Sequence, residues 1–145
     1  MTVKELKTSL REGRRVSDRI KQLQESAERA YANITSATQK ISDSGVHSDK
    51  MRDAMAEYVA YTEEIYEEIT RLQKIRRTML LRISKLNRYE LQTVLHLYYI
   101  DCLSWEQVKD KMNYSLRWTQ SLHGIALKTL ADIETQEEAE ANTSF

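Results

Sequence analysis

The chain has 145 residues, with 41% apolar and 30% charged side chains, three glycines and no proline. That composition excludes collagen-like and low-complexity classes and favours long, solvent-bathed helices over sheet. The 22 basic and 22 acidic residues cancel formally, so no global charge announces a nucleic-acid partner. Cys102 is the only cysteine, so no intramolecular disulfide can form and a reducing interior is the expected home. No apolar run is long enough for a membrane span or a signal-peptide core, which points to the cytoplasm.

Residues 1–34 read as helix. Val3, Leu6 and Leu10, then Ile20, Leu23, Ala27, Ala30 and Ile34, recur at three- and four-residue steps and form one apolar stripe. The stripe weakens between Gly13 and Ser17, where a bend is expected. From Thr35 to Asp49 the sequence is rich in Ser, Thr and Asp and contains Gly45, the mark of a connection, with Ser48 or Asp49 capping the next helix.

A second long helix is predicted from about Asp49 to Leu86. Met51, Met55, Tyr58, Thr62, Ile65, Ile69, Leu72, Arg76, Met79, Ile83 and Leu86 keep near-strict four-three spacing, a coiled-coil pattern. Such a helix cannot bury its seam alone. The expected partner is the first helix, giving a long antiparallel hairpin over residues 1–86 with its loop at about 35–49. Pairing with a second copy is the other outcome, a dimer being favoured. Along this helix charge is segregated: five acids lie within Glu57–Glu68, and seven bases with no acid lie within Arg71–Arg88. Arg76, Arg77, Arg82, Lys85 and Arg88 are therefore candidate phosphate contacts.

From Asn87 to about Asp101 a third helix is expected to pack through Leu91, Val94, Leu95 and Tyr98. Ser104 with Gln107 forms a capping-box signature, and Trp105, Val108 and Met112 fall on one face of the helix it opens. Asn113-Tyr114-Ser115 is a turn, since Asn tolerates the left-handed conformation that ends a helix and Ser115 can cap the next. The helix after that turn carries Leu122, Ala126 and Leu130 inward. That geometry is a helix-turn-helix, so the fold class is all-α, with a module at residues 87–133. The segment 134–145 loses periodicity, is acidic and is expected to be disordered.

Leu97-Tyr98-Tyr99-Ile100, Ser104-Trp105-Glu106-Gln107-Val108, Met112-Asn113-Tyr114-Ser115 and Leu122-His123-Gly124-Ile125-Ala126-Leu127 together resemble region 4 of the sigma-70 family. More closely they resemble the RinA/ArpU-like late transcriptional regulators of phages and prophages of Gram-positive bacteria. The resemblance implies double-stranded DNA as partner, with Ser115, Leu116, Arg117, Gln120, Ser121 and Lys128 as its contacts, and host RNA polymerase as a further partner. Arg117 has the chemistry to grip guanine O6 and N7, and Gln120 to do the same with adenine.

No glycine-rich phosphate loop, metal-ligand spacing or nucleophile elbow is present in the sequence. No catalytic residue, metal, cofactor or small-molecule substrate is expected. His47, His96 and His123 are read as structural or exposed, Cys102 as a small buried apolar residue, and Trp118 as either core or a protein-contact residue. Two rival functions stay open. One is a small-terminase-like packaging protein, which also joins such a module to oligomerising helices. The other is an RNA polymerase or sigma interaction protein that does not read DNA, which the balance of five basic against five acidic residues over 87–133 keeps alive.

Overall fold

In the computed structural model the described residues are 1–44 and 49–143, with side chains described through 39 and again from 49. Among them the architecture is all-α: α1 (Val3–Leu10), α2 (Glu12–Ser44), α3 (Asp49–Ile83), α4 (Tyr89–Leu95), a five-residue π-turn (His96–Ile100), α5 (Trp105–Met112) and α6 (Leu116–Thr143). The predicted sites around Gly45, His47 and Ser48 lie outside the described residues. The chain divides into two compact units, Met1–Arg15 with Gln73–Phe145, and Val16–Leu72.

The second unit is an antiparallel helix pair. Along α2 Ile20, Leu23, Ala27, Ala30 and Ile34 are buried or half-buried as the apolar spacing predicts, and Val16 and Ala37 extend the buried row at either end. Arg19 reaches Glu64 and Glu68 at 3.6 and 3.8 Å, while Tyr31 meets Tyr58 with ring centroids 5.7 Å apart, so chain directions oppose. The predicted connection from Thr35 is instead helix as far as Ser44. Thr35 and Thr38 donate their hydroxyls back to the carbonyls of Tyr31 and Ile34, which satisfies them without leaving the helix.

The seam of α3 differs from the expected one. Its inward positions in this unit are Met51, Ala54, Tyr58, Tyr61, Ile65, Glu68 and Leu72, also at four-three spacing. Met51, Tyr58, Ile65 and Leu72 belong to both patterns, but Met55, Thr62 and Ile69 of the expected seam are displaced by one residue. Met55 and Ile69, predicted buried, are exposed, and so is Thr62. The helix carries two overlapping heptad stripes, and periodicity alone cannot say which one its neighbour takes.

In the first unit Leu6, Leu10, Met79, Ile83 and Leu86 share one core with Leu91, Val94, Leu95, Tyr99, Val108, Leu122, Ala126 and Leu130. The expected boundary at residue 86 is therefore corrected: both ends of the 1–86 segment pack with the helix-turn-helix module. The predicted bend falls at Arg11, ahead of Gly13. Gly13 is in close packing, since a Cβ there would stand 2.8 Å from the Met79 methyl and 3.5 Å from the Tyr99 carbonyl. Val3, placed on the stripe by spacing, is exposed.

The acidic segment expected to be disordered is helical through Thr143. Glu134 accepts from Arg82 Nε and Nη2 at 3.0 and 2.8 Å, and Glu137 accepts from Lys85 Nζ at 2.8 Å. These contacts hold the extension of α6 against the end of α3.

Candidate nucleic-acid interface

The geometry of the α5–α6 turn is set by three local devices, each visible in the sequence. Ser104 Oγ accepts from the Gln107 N–H at 3.3 Å while Gln107 Oε1 accepts from the Ser104 N–H at 2.9 Å, completing the capping box. Asn113 stops α5 in the left-handed region at φ 58° and ψ 39°. Ser115 Oγ accepts from the Trp118 N–H at 3.1 Å and starts α6. Fixed at both ends, α6 turns Thr119, Leu122, His123, Ala126, Leu127 and Leu130 into the core.

The opposite side of α6 is solvent. Arg117, Gln120, Ser121, Gly124 and Lys128 are exposed there, and Ser115 lies exposed at the turn. Leu116, expected on the same face, is half-buried. Trp118 is 44% exposed, so its core alternative is not realised. Between Leu116 and Ala131 there is no acidic residue, so Arg117 and Lys128 are uncompensated along that helix face.

Of the basic stretch from Arg71 to Arg88, part is engaged in ion pairs within the chain. Arg82 makes a bidentate pair with the buried Glu134 and also donates to Ser9 Oγ at 2.8 Å. Lys85 lies 2.8 Å from Glu137 and 3.5 Å from Glu134. Hydrogen bonding to Glu137 holds the Lys85 pKa above its ordinary value. Burial works to raise the Glu134 carboxyl pKa, but the Arg82 and Lys85 contacts outweigh it and the net shift is downward. Arg88 pairs with Glu90 at 3.2 Å on the surface, a contact that solvent screens. Arg76 and Arg77 are exposed and make no ion pair among the described residues.

Below α6 lies a polar and aromatic node that spacing did not reveal. The hydroxyl of buried Tyr99 is 2.7 Å from His123 Nε2. Burial lowers the His123 pKa to about 4, and Lys7 and Arg11 push the same way, so the ring is neutral near pH 7. Burial raises the Tyr99 pKa, keeping its hydroxyl protonated. Tyr98 stacks on Trp105 at 4.1 Å, and Trp105 meets His123 edge-on at 4.8 Å. The π-turn makes this arrangement possible, because its wider winding sends Tyr99 into the core beside an outer Tyr98.

Arg14 is the positioning residue that sequence reasoning missed. Its Nη1 donates to the carbonyls of Tyr98 and Leu103 at 2.7 and 3.0 Å, and its guanidinium lies 4.3 Å from the Tyr98 ring centroid. It thus closes the chain reversal that delivers Ser104 to the head of α5. The only signal was the Gly13-Arg14-Arg15 interruption of the apolar stripe. Within this reversal Cys102 adopts φ 57° and is partly buried, its thiol near the Tyr99 and Ile100 carbonyls at 3.8 and 3.7 Å. His96 is half-buried, with Nδ1 3.3 Å from an Asp101 oxygen.

The family described as "Protein of unknown function (DUF1492)" matches residues 33–131, well over half of the chain. The chain belongs to the DUF1492 family. No curated protein and no solved structure matches it. The DUF1492 match takes in α3, α4, the π-turn, α5 and the exposed face of α6, and stops before Glu134. The acids that pair with Arg82 and Lys85 therefore lie outside the matched residues. Among the described residues no helix is long and apolar enough to cross a membrane.

Proposed function

We propose that this DUF1492 protein is a sequence-specific DNA-binding transcriptional regulator of phage or prophage type. It would work in the host cytoplasm without catalytic chemistry and place α6 in the major groove in the manner of sigma region 4. The observation that carries this reading is the doubly capped turn at Asn113. It presents Arg117, Gln120, Ser121 and Lys128 outward from a helix whose opposite row is buried. Contact with host RNA polymerase is part of the same reading and rests on the resemblance to region 4.

A dimer on two half-sites is supported by an outward apolar row on α3. Met55, Val59, Tyr66 and Ile69 are exposed at steps of four, seven and three residues, an outer row distinct from the inward one, and a bundle helix shows that width of apolar surface when it has two neighbours. Sedimentation of the full chain should give a dimer, and Ile69→Asp should halve the mass while changing monomer stability by no more than about 0.5 kcal/mol. An unaltered mass would assign the stripe no role in self-association.

Footprinting on the DNA flanking the protein's own gene tests the function directly. A discrete protected site is the expected result. No protection there, together with no enrichment from a random duplex pool, would end the DNA reading.

A further inference from the structure

Two features of the exposed face of α6 serve nothing inside the chain. Trp118 and Ile125 are large apolar side chains that remain 44% and 39% exposed, and Trp118 makes no ring contact among the described residues. Gly124 lies in mid-helix, where glycine is destabilising relative to alanine, yet a Cβ there would meet nothing within 4 Å. Neither core packing nor a turn explains these three residues. Each has a use only if another body closes on this face.

The surroundings say which kind of body. Trp118 and Ile125 stand seven residues apart on one stripe, about 10.5 Å along the axis. The stripe is one residue wide and is bordered by Arg117, Ser121 and Lys128, with no acid on α6 before Asp132. A narrow apolar strip with a cationic border suits a polyanion that carries small apolar projections. In the major groove the thymine 5-methyl is such a projection.

We infer that Trp118 and Ile125 are specificity residues that each receive a thymine methyl group, with Gly124 keeping the helix low enough for the groove to close over it. This rests on the DNA-reading function and names what that function selects: two thymines about three base-pair steps apart, matching the axial separation of the side chains.

The test starts from duplexes enriched by the full chain out of a random pool, rebuilt with uracil at one thymine at a time. Uracil lacks only the methyl group. Wild type should lose roughly three- to fivefold in affinity at each of two positions. Trp118→Ala should erase the uracil effect at one position and Ile125→Ala at the other, with melting unchanged because both side chains are exposed. Gly124→Gln should weaken all duplex binding without lowering the melting temperature. A flat uracil scan alongside retained sequence preference overturns the inference and leaves the DNA reading standing. Failure to enrich any duplex overturns both. Uracil effects that persist unchanged in both alanine variants, or a fall in sedimentation mass of Trp118→Ala, would assign the strip to another contact and also overturn it.

Discussion

Arg82 and Arg117 lie in the same compact unit and carry the same guanidinium, yet their surroundings are opposite. Arg82 is largely buried, bidentate to Glu134 and bonded to Ser9, whereas Arg117 projects into solvent with no ion pair among the described residues. Their sequence contexts would have ranked them the other way. Arg82 stands in a stretch of seven bases with no acid, and Arg117 in a module whose charges balance. The difference comes from the end of α6, which brings Glu134 and Glu137 back onto residues 52 positions earlier. Zero net charge is thereby divided unevenly in space. The acids neutralise the end of α3, and the outer face of α6 keeps its positive charge.

The largest effect expected from this contrast is on stability. Arg82→Ala leaves the buried Glu134 carboxylate with only Lys85, and removing one partner of such a pair costs about 3 kcal/mol. Thermal or urea unfolding should show that loss, with sequence preference for DNA unchanged in the folded fraction. Arg117→Ala should leave unfolding within about 0.5 kcal/mol of wild type. Equal melting of the two variants would erase the contrast between a structural and an available arginine.

A second expected effect is on pH dependence and separates the core under α6 from the ion pairs at its end. His123 is held near pKa 4 in the fold against 6.5 for a free imidazole. Above pH 6.5 neither state takes the proton and stability is full. Between pH 6.5 and 4 the unfolded chain protonates while the folded one does not, so stability falls by up to about 3 kcal/mol and then levels off. Glu134 has a lowered carboxyl pKa, so its contribution is complete above 4.5 and is lost only below that. His123→Gln should remove the decline between pH 6.5 and 4.5 and retain the lower one. A wild-type profile flat from pH 7 to 5 would show that His123 is not buried and neutral.

The sequence was legible where local chemistry acts alone. The Ser104–Gln107 box, the left-handed Asn113 and the Ser115 cap need no knowledge of distant residues, and all three stand as spacing predicts. Outward placement of Arg117, Gln120, Ser121 and Lys128 followed from them. What long-range packing decides was not legible. Two heptad stripes of α3 differ by one residue, and only the neighbour chooses between Glu68 and Ile69. The acidic end of α6 has weak intrinsic order and is held as helix by the Arg82 and Lys85 contacts, which composition does not display. Arg14 acts across 84 and 89 residues of sequence, a separation that no periodicity encodes.

On DNA the order of Arg82 and Arg117 should reverse. A bidentate guanine contact is worth roughly 1–3 kcal/mol, so Arg117→Ala should lose that much on the enriched site and little on random duplex. Retained discrimination between the two duplexes would show that α6 does not read the sequence through Arg117.

The smallest effect concerns Arg76 and Arg77, adjacent basic residues of α3 with no ion pair among the described residues. Arg76 and Arg77 are exposed, unlike Arg82, and belong to the same first unit as α6. They are adjacent on a helix outside the α5–α6 module, so under the proposed DNA-binding function any contact they make is with phosphate. A phosphate contact carries no sequence information and releases about one counterion. Neutralising Arg76 and Arg77 together should therefore weaken enriched and random duplexes by the same factor. The salt dependence should flatten by about one slope unit for each phosphate interaction removed, up to two. Arg82→Ala, tested in the same titration, should leave the slope where it was because its charge is already spent on Glu134. If the Arg76 and Arg77 double variant keeps the wild-type slope, DNA does not reach α3 and the grip comes from α6 and its flanks. If Arg82→Ala flattens the slope instead, the acidic end of α6 is displaced when DNA binds, and the contrast between the two arginines holds only for the free protein.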